Sequence, residues 1–533
     1  MSSESPLIRW LAAKWETVKS VIWPVHAGES KKLIPMVLML FFINFNYSIL
    51  RNMKDVLVMS NQTTGAAVIP FIKVWVLLPM AILITVIFTK LTNRISQERV
   101  FYIIISGFLI FFALFAFVLY PMRDYLHLGP SADALQLGLP VGLHGFVSMV
   151  RNWTFTAFYV MSELWGSMIM TVLFWGFANE VTRLSEARRF YSIFGVGANF
   201  AAIIAGQVGS YFSHIKFNPN LPFGLTDWEQ TIDVLVLLVL VSGVITIALF
   251  RWMNKRVLND SCFDDLHYVK RKKGPKGKKL SMRESFSYLA NSNYLICIAI
   301  IVFSYNLVIN LVEVVWKEQL KTLYPNQSDL NSYLNDLTSM IGIVSTVAAL
   351  SMPRLISRFG WTGTALITPV IMLITSIGFF TFFLLGHSLT DIAMVLAGTT
   401  PIAIAVFFGF AQNCLSKAAK YSVFDATKEM TFIPLDHETK LKGKAAIDGV
   451  GSRLGKSAGS VIHQGLLVIF TTLNATAPFV GGILMVAIGL WIVATKRLGR
   501  QFHELVATKP DKLDADADVP ETPNSDLRPA ISR

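Results

Sequence analysis

Residues 69–88 read IPFIKVWVLLPMAILITVIF, twenty positions with a single charge, Lys73. At about 1.5 Å of rise per residue, a helix of this length crosses the roughly 30 Å of hydrocarbon in a bilayer. A soluble surface helix would carry a polar face, and this run has none. The rest of the chain agrees. Of 533 residues, 53% are hydrophobic and only 15% charged, and mean hydropathy is +0.53. A soluble domain carries about 25% charged residues, so too little polar surface is present to hold a globule in water. The same numbers exclude a disordered chain, a collagen and a disulfide scaffold.

Working outward from that stretch, apolar runs recur at residues 38–50, 69–88, 101–120, 145–177, 190–212 and 232–250. A second set follows at 294–316, 337–352, 362–385, 393–414, 445–470 and 478–494. The fourth run is long enough to tilt or break, and the eleventh is interrupted by charge. The expected fold is an all-α polytopic membrane protein of about twelve transmembrane helices in two six-helix halves. Its divisions are a cytoplasmic N-terminal segment (1–32), an N-terminal half (33–253), a basic linker (254–290), a C-terminal half (291–498) and a tail (499–533). Leu11, Trp15, Val18 and Ile22 lie on one apolar helical face, suited to the membrane interface. The tail lacks apolar periodicity, which predicts disorder.

Net charge is +13. In a soluble protein that would raise nucleic acid as a partner, so the placement of the charges decides. Only Arg51, Lys54, Arg123, Lys216, Lys317 and Lys321 fall in outward loops and helix ends, and Lys73, Arg151, Arg453 and Lys456 fall within spans. Every other lysine and arginine falls on the side of the termini. The positive-inside rule then puts both termini in the cytoplasm, and the basic excess records topology rather than a nucleic-acid partner. The absence of a transit peptide favours a bacterial cytoplasmic membrane.

Charges inside the hydrocarbon cost about 2.5–3.5 kcal/mol each on insertion scales and usually face a cavity or a partner. Lys73, Glu163, Glu313 and Lys456 stand out, with Asp448 and Arg453 beside Lys456 and the Arg51, Lys54 and Asp55 cluster closing the first span. Taken singly, each reads equally as half of an interhelical ion pair, Lys73 with Glu163 for example. As a set occurring in both halves, they predict a polar central pathway that attracts an anion. Small residues of the fifth span (Gly195, Gly197, Gly206) and eleventh span (Gly449, Gly455, Gly459) suit close helix packing and halves that rock past each other.

Other chemistry is excluded. Gly455-Lys456-Ser457 ends like a phosphate loop, but the required first glycine is Val450 and no strand precedes it. Cys262, Cys297 and Cys414 have no metal-ligand spacing, and no catalytic triad or metal cluster appears. His463, well inside a span, reads as a core histidine before a proton relay. No cofactor is expected.

The local sequence goes further. NFNYSILRNMKDV (44–56), IPFIKVWVLLP (69–79), NWTFTAFYVMSELWGSMIMTVLFWGFANE (152–180) and EARRFYSIFGVGAN (186–199) resemble the nucleotide transporter family. These are the ATP/ADP translocases of obligate intracellular bacteria and plastids. In the second half INLVEVVWK (309–317), QNCLSKAAKYSVF (412–424), KEMTFIPLDHETKLKGKAA (428–446) and GKSAG (455–459) agree. The resemblance covers nearly all of residues 23–504. It implies a major-facilitator-like bundle that exchanges external ATP for internal ADP without hydrolysis, using charged residues that match Lys73, Glu163, Glu313 and Lys456. Where this family typically reads ILRDTKD, the chain has Asn52 and Met53, and Ala67 stands where an acidic residue often precedes IPF. Those departures keep alternatives open: a broader ribonucleotide (GTP, UTP, CTP, ATP) exchanger, a proton-coupled nucleotide importer, or a nucleotide-sensing membrane protein that does not transport. Trp75, Tyr159, Trp165 and Trp316 are candidates to stack on a base, though packing is the commoner role of such rings.

Overall fold

The computed structural model describes residues 29–60, 64–258, 292–435 and 452–508, with isolated positions between 436 and 451. The N-terminal amphipathic segment, most of the basic linker, Asp448 and residues 509–533 lie outside the described residues, while 499–508, assigned by sequence to a disordered tail, continue the last helix. Those described are almost wholly helical, and no strand occurs among them.

Twelve long helices account for the bundle. The N-terminal half holds α1 (Ser30–Ser60), α2 (Gly65–Arg94), α3 (Gln97–Leu119), α4 (Trp153–Val181), α5 (Leu184–Ser213) and α6 (Asp227–Val257). The C-terminal half begins with α7 (Asn293–Leu323). The continuous helical stretch Gln327–Leu384 is two helices, α8 (327–359) and α9 (361–384), separated at Gly360 with φ 66° and ψ −179°. That left-handed φ is open to glycine and costly for a side chain. Next come α10 (Pro401–Thr431), α11 (Ser452–Phe470) and α12 (Leu473–Thr508).

The break in the fourth run follows expectation, whereas the tenth run and helices α1 and α7 differ from it. The fourth apolar run breaks at Asn152, with a short helix, His144–Arg151, ahead of α4. The tenth run splits at Gly398, whose φ of 61° caps the short helix Thr390–Ala397. Pro401 then starts α10, which continues past Cys414 through Lys417 and Lys420. Helices α1 and α7, each 31 residues, also outlast their apolar runs. Lys54, Asp55 and Lys317, placed by sequence at helix ends, are therefore 2%, 4% and 3% exposed inside the bundle. Hydropathy ended these spans early because their last turns bury charge against charge.

With the helices alternating in direction, the start of α1 and the end of α12 share one face. The bonds joining the two halves gather away from it. Asn331 donates to Ser213 Oγ at 2.8 Å, Ser210 and Ser332 hydroxyls lie 2.9 Å apart, and Gln207 donates to Ser339 Oγ at 3.0 Å. Gly206 and Gly209 allow this approach of α5 to α8, since a Cβ at Gly206 would overlap Ser339 Oγ and Asn335 O. In the other fifth span, Gly455 and Gly459 of α11 meet Asn306 and Asn310 of α7, within one half. The small residues thus serve the interface between the halves in the first case and a helix pair within one half in the second.

Candidate functional site

Polar residues of α1 and α7 fall on matching stripes. Asn44, Ser48, Arg51 and Asp55 follow i, i+4, i+7, i+11 along α1, and Asn306, Asn310, Glu313 and Lys317 do the same along α7. Residues at this spacing share one helix face. Helices α4 and α10 add Glu163 and Lys417. Each stands two or three residues before a π-helical stretch, Trp165–Phe174 and Lys420–Phe424, and Lys73 lies within a third, Ile72–Leu77. The wider turn leaves unstrained α geometry locally and is frequent where helices carry functional side chains.

These stripes meet in a chain of alternating charge. Glu163 Oε1 lies 3.0 Å from Lys54 Nζ, which lies 2.8 Å from Asp55 Oδ1. Asp55 Oδ2 is 2.7 Å from Lys317 Nζ, and Lys317 is 3.2 Å from Glu313 Oε1. Lys417 Nζ completes the chain 3.8 Å from the same Glu313 oxygen. Three carboxylates and three ammonium groups thus run from α4 through α1 and α7 to α10, crossing between the halves at Asp55–Lys317. Lys54 also sits 4.0 Å from the centre of the Tyr159 ring, a cation–π contact that helps hold a desolvated ammonium. Arg51, Asn52, Glu313, Lys317, Thr338 and Lys417 line a small cavity at this junction.

The remaining lysines are placed differently. Lys73 Nζ donates to Asn310 Oδ1 at 3.0 Å, reaching from the N-terminal half onto the α7 stripe one turn before Glu313. Gly459 of α11 packs on the Cβ of that same Asn310, and Lys456 stands one turn earlier on α11. Lys456 is exposed and precedes His463 by seven residues, so both share a face. Lys73 and Gly459 therefore meet Asn310 from different helices, with Lys456 one turn from Gly459 along α11. Arg453 lies in the first turn of α11.

Glu163 is paired with Lys54, not with Lys73, and Glu313 with Lys317 and Lys417. Sequence reading missed Lys317 and Lys417, having counted both outside the spans. The signal available was their spacing: Lys317 continues the Asn306–Asn310–Glu313 stripe, and Lys417 follows Asn413 by four. Tyr159, Trp165 and Trp316 are core residues at 0%, 0% and 1% exposure. Trp165 donates to Ile43 O and Trp316 to Val406 O. Trp75 is exposed and donates to Gln464 Oε1 at 3.2 Å. His463 is fully buried, with Nε2 bonded to Leu311 O at 3.1 Å, and Cys297 and Cys414 are free, buried thiols.

Chemically, a chain of three carboxylates and three ammonium groups, with Arg51 and Lys73 close by, sits at the meeting of two bundles. It offers point charges for an anion and no nucleophile–base arrangement.

Comparison with known proteins points the same way. Residues 11–502 match the family model described as TLC ATP/ADP transporter. The chain is 43% identical to ADP,ATP carrier protein 1 of Chlamydia pneumoniae, over 94% of this chain and 97% of that one. It is 40% identical to the chloroplastic ADP,ATP carrier protein 1 of Arabidopsis thaliana, over 91% and 76%. Among solved structures, a bacterial homologue of the iron transporter ferroportin in an inward-facing state superposes with TM-score 0.54 at 14% identity, over 88% of this chain and 98% of that one. The nucleoside transporter NupG gives 0.53 at 12%, over 88% and 99%. These two likenesses concern the fold alone, which is that of major-facilitator-like transporters.

Proposed function

This chain belongs to the TLC ATP/ADP transporter family, a family of carriers rather than hydrolytic enzymes, and from that premise we propose how it exchanges nucleotides. It takes up external ATP against internal ADP across a bacterial cytoplasmic membrane, by alternating access between residues 1–250 and 294–504. The observation that carries this reading is the junction of the halves: a buried, self-neutralised charge chain with Lys73 beside it and Lys456 one helix away. The skew of lysine and arginine toward the face of the termini supports placing that face in the cytoplasm. The described structure is then a state closed toward the outside.

The phosphates of a nucleotide arriving at this junction meet Lys73 and Lys456, which act as point charges rather than bidentate forks. Asn310 is bonded to Lys73 and packs against Gly459, one turn from Lys456 on α11. Arg51 adds positive potential from α1. Asp55, Glu163 and Glu313 keep Lys54, Lys317 and Lys417 neutralised while no phosphate is bound, so the bundle does not carry bare buried charge. Exchange without hydrolysis requires no more than this: binding energy available in both orientations, and halves that reorient around the anion.

The deciding experiment expresses the full chain in intact bacterial cells, loads labelled ATP and chases with unlabelled nucleotides. Efflux driven by external ADP or ATP alone supports strict ATP/ADP exchange. Uptake of GTP, UTP or CTP reassigns the chain to broader ribonucleotide exchange, and collapse with a protonophore to proton coupling. Nucleotide binding without counterflow would refute transport in favour of sensing.

A further inference from the structure

We infer that Asp55 and Lys317 form the seal closing the face opposite the termini, and that Lys317 is a positioning residue of the transport cycle; the inference rests on the exchange reading above. The two groups lie 2.7 Å apart with side chains 6% and 3% exposed, one from α1 and one from α7. Each also has a partner in its own half, Lys54 for Asp55 and Glu313 for Lys317. Of the ion pairs described above, parting the halves here breaks Asp55–Lys317 and strands neither of its charges. A buried charge left without a partner is strongly destabilising, so an interface that must open repeatedly needs this duplication. After separation Arg51, Lys54, Asp55 and Glu163 remain together as two cations and two carboxylates. Glu313, Lys317 and Lys417 remain as one carboxylate and two lysines.

The α1 and α7 stripes carry opposite charges at matching positions. The same interval along the chain carries Asn44 to Asn306, Ser48 to Asn310, Arg51 to Glu313 and Asp55 to Lys317. An internal repeat with identical charges at matching positions would set like charges against each other where the halves meet. Reversed charges attract, and they do so in one register. Further hydrogen bonds flank the pair. Asn52 Nδ2 donates to Asn335 Oδ1 at 2.8 Å and Thr338 Oγ1 at 3.0 Å, and Ala66 N–H at the start of α2 donates to Glu318 Oε2 at 2.8 Å.

The test places one cysteine behind the seal. Leu337 lines the cavity beside the pair and is 4% exposed. Leu337→Cys is made in a full chain whose three native cysteines are alanine, and a membrane-impermeant maleimide is added outside intact cells. With Asp55 and Lys317 present, labelling is slow. Asp55→Asn or Lys317→Gln speeds it about tenfold, the factor that about 1.4 kcal/mol of lost seal energy corresponds to. The exchanged pair, Asp55→Lys with Lys317→Asp, brings labelling back toward the parent rate and restores nucleotide counterflow lost in the single variants. Unchanged labelling in both single variants, or no return in the exchanged pair, overturns the inference. Should the single variants fail to reach the membrane, recovery of insertion and counterflow in the exchanged pair supports the pairing, and failure to recover refutes it. The labelling needs no nucleotide. If it responds as stated while no nucleotide drives counterflow in the parent, the seal stands and the exchange reading falls.

Discussion

Lys73→Gln separates a transport role from a structural one. Lys73 Nζ makes a 3.0 Å hydrogen bond to Asn310 Oδ1, and no ion pair involving it occurs among the described residues. Replacing the ammonium with an amide therefore strands no buried partner charge and keeps a donor for Asn310, so only the difference between a charge-assisted bond of about 1.5–3 kcal/mol and a neutral one of about 0.5–1.5 kcal/mol is lost. Thermal unfolding in detergent should move little. A charge-assisted bond to phosphate is stronger, about 1.5–3 kcal/mol, which corresponds to about 10- to 150-fold in apparent affinity. The assay is counterflow in intact cells across a concentration series of ATP and AMP, with unfolding of the purified variant in parallel. Half-saturation by ATP should rise by that factor, while AMP, with less phosphate charge to lose, rises less. Equal losses for ATP and AMP would refute phosphate contact. A large fall in thermal stability with unchanged ATP dependence would make Lys73 a structural residue instead.

The two carboxylates should differ in cost. Glu313→Gln withdraws the carboxylate shared by Lys317 and Lys417 and should lower stability by about 3–5 kcal/mol. Glu163 is 30% exposed and its partner Lys54 keeps Asp55, so Glu163→Gln should cost about 1 kcal/mol; denaturant unfolding ranks the two. Gly206→Ala, whose Cβ overlaps Ser339 and Asn335 in the closed interface, should favour the state open on that face and speed labelling from outside at Leu337→Cys. Gly195→Ala, which meets nothing within 4 Å, should leave the labelling rate unchanged. Asn52→Asp cannot donate to Asn335 and Thr338 as the amide does. It should loosen the same interface, read as faster labelling from outside at fixed nucleotide concentration.

Much of the fold was legible in order along the chain. Twenty-residue apolar runs have one stable solution in lipid, because the backbone must satisfy its own hydrogen bonds there. Hence twelve helices, two halves and the break in the fourth run could be read directly, and the isolated charges Lys73, Glu163, Glu313 and Lys456 stood out by cost alone. What hydropathy misread were charges that cancel each other. Lys54, Asp55, Lys317 and Lys417 looked like helix ends, since a one-dimensional window scores each charge against lipid and cannot see the opposite charge a few ångströms away on another helix.

Sequence by itself therefore determined that this protein spans a membrane many times, and that positive charge is retained where it is expensive. Tertiary structure alone decided which charges neutralise one another. Pairing depends on the azimuth of each helix and the crossing of four of them at one depth. The partnerships Glu163–Lys54, Asp55–Lys317 and Glu313–Lys417 join positions more than a hundred residues apart. No local pattern encodes such a distance, whereas Coulomb attraction in a low dielectric acts through space and fixes it once the helices have packed.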